Sequence, residues 1–194
     1  MAHNNIEIEI QVNIENVQPL LSFLETEGTF KHEIRQVDEY FSPAHDDFLA
    51  LRPVSRWLRI RQTEKGNSLN YKNWYFDEAG KSSNYCDEFE TKIEDVAATK
   101  KILEALNFKN IVIVDKTRKI WEFEDFEIAI DSVKDLGNFV EIEYIGKDEN
   151  IDPKKVTKEM ITFLKSLEVG KITRNHVGYP FLMLFPDEVE YEIE

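Results

Sequence analysis

The sequence predicts an α+β fold: a closed eight-stranded antiparallel β-barrel, or tunnel, with a charged lumen, flanked by three or four helices. Two observations lead to this prediction. Eight segments alternate between apolar and polar residues with a period of two, as strands do. In six of them the polar positions are almost purely charged. An apolar face covered by helices, with a charged face turned inward, gives a barrel with a polar interior.

Alternation defines the strands, and capping residues define the first helix. The predicted strands are residues 6–14, 34–41, 57–63, 69–76, 85–93, 111–123, 126–133 and 139–145. The first helix begins near Val17, where Asn16 can cap it, and Gly28 can end it.

Three further helices follow from apolar spacing and caps. The second covers residues 95–106 behind the cap Asp95, the third follows the cap Asp152 and ends at Gly170, and a short fourth helix lies within 174–184. The residues predicted to face the core are Ala98, Ile102 and Ala105 in the second helix and Val156, Met160, Phe163, Leu164 and Leu167 in the third.

Composition narrows the class of protein. The chain has 194 residues and a formal net charge of −14, so it would repel a polyanion over most of its surface, and a general nucleic-acid partner is not expected. No apolar run approaches the ~20 residues that cross a bilayer, and no signal peptide is recognised, so we expect a cytoplasmic protein without a membrane partner. The single cysteine, Cys86, excludes an internal disulfide and a Cys-rich zinc site.

Charges of opposite sign are sorted onto different strands. The cations are Arg59, Arg61, Lys72, Lys116 and Arg118; the acidic positions include the Glu7/Glu9, Glu88/Glu90 and Glu141/Glu143 pairs. Taken one strand at a time, a sheet with one solvated face explains this pattern. Taken together, clustered carboxylates and cations are what a complex of a divalent metal with a polyphosphate requires.

The order of these motifs resembles the CYTH superfamily of triphosphate tunnel enzymes, closest to its putative class IV adenylyl cyclase branch. The motifs are Glu7-x-Glu9, Leu58-Arg59-Ile60-Arg61, Tyr71-Lys72, Glu88-x-Glu90-Thr91, Lys116-x-Arg118, Ile130-Asp131-x-Val133 and Leu136-Gly137-x-Phe139-x-Glu141-Ile142-Glu143. They span roughly residues 6 to 185, which is nearly the whole chain. The resemblance implies one tunnel domain over residues 1–186 that holds a triphosphate, followed by an acidic tail over 187–194.

The resemblance also implies a set of site residues. Phosphate binding falls to Arg59, Arg61, Lys72, Lys116 and Arg118. The ligands for Mg²⁺ or Mn²⁺ are Glu7, Glu9, Glu90, Asp131, Glu141 and Glu143, with Glu88 a weaker candidate. Catalysis is assigned to Glu7, Glu9 and Lys72. The expected partner is a small-molecule triphosphate, namely ATP, thiamine triphosphate or tripolyphosphate, and a homodimer is left open.

Three positions depart from the family pattern. Gln11 stands where the first motif has a lysine, and Cys86 stands where an arginine usually precedes the Glu88/Glu90 pair. Gly178-Tyr179 replaces a closing Ser-Tyr pair. The first two changes remove cations, which favours either a retuned site or a weakened one.

Three functions fit these residues. An ATP cyclase would form cyclic AMP and pyrophosphate, whereas a triphosphatase would hydrolyse the terminal phosphate of thiamine triphosphate, inorganic triphosphate or a nucleotide. A non-catalytic binder of nucleotides or polyphosphates is the third, favoured by Gln11 and Cys86. The sequence does not fix which oxygen attacks, so all three stay open here.

Overall fold

The computed structural model describes residues 8–76, 83–147 and 152–194, and these form ten strands and four α-helices. The strands are β1 (Glu9–Ile14), β2 (Thr29–Pro43), β3 (Arg56–Thr63), β4 (Gly66–Phe76), β5 (Ser83–Ile93), β6 (Phe108–Phe123), β7 (Phe126–Val133), β8 (Gly137–Tyr144), β9 (Ile172–Arg174) and β10 (Glu192–Ile193). The helices are α1 (Gln18–Glu27), α2 (Val96–Ala105), α3 (Pro153–Ser166) and α4 (Tyr179–Leu184).

The predicted α+β class and antiparallel pairing are confirmed, but the strand number is ten rather than eight. The strand order is β10-β9-β1-β8-β7-β6-β2-β3-β4-β5. The two extra strands, β9 and β10, have three and two residues, and β10 comes from the acidic tail. No ladder joins β10 to β5 within the part of the chain that the structure describes, so closure into a barrel is not observed.

The chain divides into two compact units, residues 1–34 with 116–194 and residues 35–115. In the first unit, Ile10, Ile142 and Ile128 lie opposite one another on neighbouring strands and point to one face. Helices α1 and α3 cover this face with buried leucines such as Leu20 and Leu164. The other face of the same strands is therefore left to the polar side chains of alternate positions.

The second unit repeats this division on β3 and β4. Leu58 and Ile60 are buried with Phe41 and with Leu103 of α2. The predicted apolar face of α2 is wrong in detail, because Ile102 is 59% exposed. The apolar spacing located the helix correctly, but its rotation is set by how Leu103 packs on the sheet.

The predicted N-terminal caps are largely confirmed, but the predicted end of the third helix at Gly170 is wrong, because α3 ends at Ser166 with Leu167 as its C-cap. Asp95 accepts a hydrogen bond from the backbone N–H of Ala98, and Asp152 accepts one from Lys154. Asn16 accepts from the backbone N–H of Gln18, although the residue at the N-cap position is Val17. Helix α4 begins later than predicted, with Pro180 in its first turn. No helix in the described ranges is long and apolar enough to cross a bilayer.

Candidate functional site

The polar face of the first unit brings four predicted site residues into one buried network. Arg118 on β6 lies opposite Asp131 on β7, and Glu141 on β8 lies opposite Gln11 on β1. Lys116, two residues before Arg118, points to the same face. Gly137 starts β8 with a φ of 97°, a conformation that favours glycine at the turn that sets this register.

Asp131 is the centre of this network. Its side chain has 0% exposure and accepts from Lys116 Nζ at 2.7 Å and from Arg118 Nε and Nη2 at 2.7 and 2.6 Å. The Tyr179 hydroxyl lies 2.8 Å from the same carboxylate. Four contacts therefore satisfy both carboxylate oxygens and hold the two cations in place.

Glu141 is held differently. Arg118 Nη2 contacts its Oε2 atom, while Gln11 Nε2 donates to Oε1 at 3.0 Å and the Tyr179 hydroxyl lies 3.1 Å from Oε1. The Oε1 atom of Gln11 is buried and has no hydrogen-bond partner among the described residues. Gln11 and Arg118 thus donate to Glu141, and the single hydroxyl proton of Tyr179 is shared between Glu141 and Asp131, which is the nearer of the two.

The network shifts the pKa of each of its members. Burial alone would raise the pKa of Asp131 and of Glu141, but Arg118 and Lys116 outweigh it and hold both below their usual range. Burial lowers the pKa of the Lys116 ammonium, whereas burial and the neighbouring carboxylates raise that of the Tyr179 hydroxyl. Both carboxylates are therefore ionised at neutral pH.

A second row of carboxylates crosses the same face. Glu9 lies opposite Glu143, Glu143 opposite Glu127, and Glu127 opposite Glu122. Glu122 and Glu127 lie at the facing ends of the predicted strands 111–123 and 126–133, beside the turn between them, where solvated charge is the default expectation. In the structure both lie on strands beside a turn formed by residues 124–125, and Glu122 pairs with Lys31 at 2.9 Å.

The second unit has a similar cation cluster on its own polar face. Asp38 on β2 is 2% exposed and accepts from Arg61 Nε and Nη2 at 2.7 and 2.6 Å. Arg59 Nη1 lies 3.5 Å from the same carboxylate. The Nε–H of Arg59 is buried and has no acceptor within the described ranges, so this guanidinium retains a donor for an anion.

The remaining predicted residues of the second unit lie beside this cluster. Asn70, which is 1% exposed, donates to Glu88 at 2.6 Å and to Glu90 at 3.3 Å. Lys72 Nζ lies 3.1 Å from Glu88. Cys86 points to the face of Lys72 and supplies no charge there.

Sequence reasoning missed Asp38 and did not assign Tyr179 or Asn70 to the site. The available signal for Asp38 was that it is the one acidic residue on the Tyr40 face of the predicted strand 34–41. Tyr179 is reached only through the packing of α4, which no strand periodicity reports. Glu7 lies outside the described residues, so its predicted role stays a prediction.

The carboxylates on this polar face have the chemistry that divalent metals prefer, but those that the structure describes do not form a complete metal site. No group of three or more His, Cys, Asp or Glu side chains in the described ranges is placed to hold a metal ion. The hard carboxylate oxygens of Glu9 and Glu143, directly opposite each other on neighbouring strands, are nevertheless of the type that Mg²⁺ and Mn²⁺ prefer. Asp131 and Glu141 already have cationic and neutral donors on their oxygens.

Comparison with known proteins gives consistent matches along nearly the whole chain. A protein named "Putative adenylate cyclase" from Methanocaldococcus jannaschii is 35% identical over 167 residues, covering 86% of this chain and 91% of that one. The PH1819 protein of Pyrococcus horikoshii OT3 superposes with a TM-score of 0.68 at 27% identity, covering 92% of this chain and 98% of that one.

A more distant structure has the same fold. It is a "putative adenylyl cyclase" from Hippeastrum, described as having a dominant triphosphatase activity, with a TM-score of 0.65 at 17% identity over 95% of this chain and all of that one. The family model for the CYTH domain matches residues 5–179. Because this match takes in both cation clusters and most of the chain, the protein belongs to the CYTH domain family.

Proposed function

We propose that this protein is a metal-dependent enzyme that acts on the triphosphate group of a nucleotide or another organic triphosphate. The observation that supports this most is the repeated arrangement of two cations on one buried aspartate. Arg59 and Arg61 contact Asp38 in the second unit, and Lys116 and Arg118 contact Asp131 in the first.

A buried aspartate that holds two cations prepares them for an anion. In the second unit Asp38 offsets one of two positive charges and leaves about +1, whereas in the first unit Asp131 and Glu141 together offset Lys116 and Arg118. In both units the cations have a fixed geometry without ligand. Guanidinium groups bind phosphate oxygens through paired N–H donors, and the free Nε–H of Arg59 is one such donor. In this proposal Lys72 binds a further phosphate oxygen, with Glu88 as its counterion in the free protein.

Glu9 and Glu143 are the proposed carboxylates for Mg²⁺ or Mn²⁺, with Glu7, Glu90, Asp131 and Glu141 as the further ligands that the family pattern implies. When bound, the metal supplies positive charge to the phosphate oxygens. The residues of the chain hold the triphosphate in line for attack and offset its charge.

Cyclisation of ATP to cyclic AMP and pyrophosphate is the first form of the proposal, supported by the name of the Methanocaldococcus relative. Hydrolysis of a terminal phosphate is the second, supported by the activity described for the Hippeastrum protein of the same fold. Both forms use the same cations, and they differ in the oxygen that attacks.

Product analysis separates the two. The protein is incubated with ATP or with tripolyphosphate, plus Mg²⁺ or Mn²⁺, and cyclic AMP, pyrophosphate and orthophosphate are resolved. Cyclic AMP with pyrophosphate indicates the cyclase, and orthophosphate indicates the triphosphatase.

Arg61→Met should abolish either activity. Arg35→Met is the matched control, because Arg35 donates to Asp115 from Nε and Nη2, as Arg61 does to Asp38, but is exposed. Binding of either ligand without any product would leave only a binding protein.

A further inference from the structure

Arg118 contacts two carboxylates in the free protein, with two hydrogen bonds to Asp131 and one to Glu141. Its Nε and Nη2 atoms both donate to Asp131, which is fully buried. Only Nη2 contacts Glu141, whose side chain is 19% exposed. The contact with Glu141 is therefore the one that a phosphate oxygen can replace while Asp131 keeps the guanidinium in position.

Replacement of that contact creates a problem of charge. The network holds two cations, Lys116 and Arg118, and two anions, Asp131 and Glu141. If Arg118 turns to a phosphate, Glu141 becomes a largely buried carboxylate without its ion-pair partner. Such a charge is costly unless other donors remain on it.

The structure supplies one neutral donor that serves Glu141 alone, Gln11, and a second, the single hydroxyl proton of Tyr179, that Glu141 shares with Asp131 at 2.8 Å. Gln11 Nε2 donates to Oε1 of Glu141 at 3.0 Å, and the Tyr179 hydroxyl lies 3.1 Å from the same atom. The Tyr179 ring is fixed by an edge-on contact with Phe139, so its hydroxyl is well placed. Gln11 makes this bond although its own Oε1 stays unpaired among the described residues.

We propose that Gln11 and Tyr179 are positioning residues that hold Glu141 through neutral hydrogen bonds, so that Arg118 can exchange Glu141 for a phosphate oxygen of the ligand. This inference rests on the proposed function for its ligand, but the holding of Glu141 stands on geometry alone. It also gives the Gln11 departure a role: an amide binds Glu141 without adding another charge that competes with Arg118.

Two double-mutant cycles test this. Gln11→Met and Tyr179→Phe keep the shape of each side chain and remove its donor, and each is made alone and together with Glu141→Gln. Tyr144→Phe is the control, because Tyr144 lies on the same strand as Glu141 but on the opposite face. Each cycle is measured in two ways, by urea unfolding without ligand and by calorimetric titration with tripolyphosphate.

In urea unfolding, the loss of stability caused by Gln11→Met or Tyr179→Phe should shrink by about half when residue 141 is already Gln. In calorimetry, each single variant should weaken tripolyphosphate binding about tenfold, and this effect should disappear in the Glu141→Gln background. Tyr144→Phe should be additive with Glu141→Gln in both.

Three other outcomes bear on different parts of the two proposals. Additive stabilities would overturn the inference, because Glu141 would not be held by these donors. Wild-type protein that binds tripolyphosphate no better than the donor-deleted variants would overturn the exchange step and leave the proposed function intact. Coupled stabilities in a wild-type protein that binds no tripolyphosphate would support the holding of Glu141 and count against the proposed function.

Discussion

Replacing Asp131 by Asn removes one negative charge from a fully buried position that contacts two cations and a phenol. Lys116 is 5% exposed and would then share the single remaining carboxylate, Glu141, with Arg118. Removing one partner of a buried ion pair costs about 3–5 kcal/mol of the free energy of unfolding. Asn keeps one carbonyl acceptor for Arg118, so we expect about 3 kcal/mol, the lower end of that range.

The cost should depend on pH. The network holds the pKa of Asp131 below its ordinary value, so the unfolded chain takes up a proton there more readily than the folded one. The stabilisation is present above the unfolded-state pKa of about 3.9 and is lost as the pH falls through the lower pKa of the folded protein. The difference in stability between wild type and Asp131→Asn should therefore be largest near pH 7 and shrink in acid.

Urea unfolding followed by circular dichroism at pH 7 and in acid measures both quantities. Asp115→Asn is the matched control, since Asp115 accepts from Arg35 Nε and Nη2 at 2.9 and 2.7 Å and Arg35 is 68% exposed. An exposed pair of this kind is worth at most about 1 kcal/mol. Equal costs at Asp131 and Asp115, or a cost at Asp131 that does not change with pH, would refute the account of the network.

Three further changes give distinct outcomes. Glu141→Gln should sharply weaken the dependence of activity on Mg²⁺, whereas Glu122→Gln should change little because its partner Lys31 is half-exposed; equal effects in a metal titration would contradict this. Gln11→Lys places an ammonium where Gln11 Nε2 contacts Glu141, and by pairing with Glu141 in place of Arg118 it should tighten binding of ATP and tripolyphosphate by about 1.5–3 kcal/mol; unchanged titrations for both ligands would show that Arg118 is not released to the phosphates. Leu20 of α1 is fully buried, so Leu20→Ala should lower the free energy of unfolding in urea by about 2–5 kcal/mol with little effect on ligand affinity per folded molecule. A loss of affinity would instead indicate that α1 supports the site.

Strand residues of the site were predictable because a period of two assigns each side chain to a face. Arg118, Asp131 and Glu141 were selected in this way, and the structure brings them into contact. The predicted end of the strand over 111–123 is also correct, because β6 ends at Phe123. Alternation did not show that Glu122 joins a row of carboxylates that continues across β7, β8 and β1.

Contacts between elements that are distant in sequence were not predictable from periodicity. Tyr179 reaches Asp131 from a helix 48 residues further along the chain, and the rotation of α2 depends on the packing of Leu103. The short strands β9 and β10 contain too few residues for alternation to show, and they are defined only by their pairing with a neighbour.

In the proposed function, the cation clusters and carboxylates of this chain bind a triphosphate together with a divalent metal. Thermal melts of the wild-type protein with Mg²⁺, with tripolyphosphate, and with both test it most directly. A ligand specific for the folded state at ~100 times its dissociation constant adds ~2.7 kcal/mol of stability. For a chain of this size that corresponds to a rise of roughly 5–10 °C in Tm. We expect this rise with both ligands together and a much smaller one with either alone. No shift with millimolar tripolyphosphate and Mg²⁺ together would contradict the account.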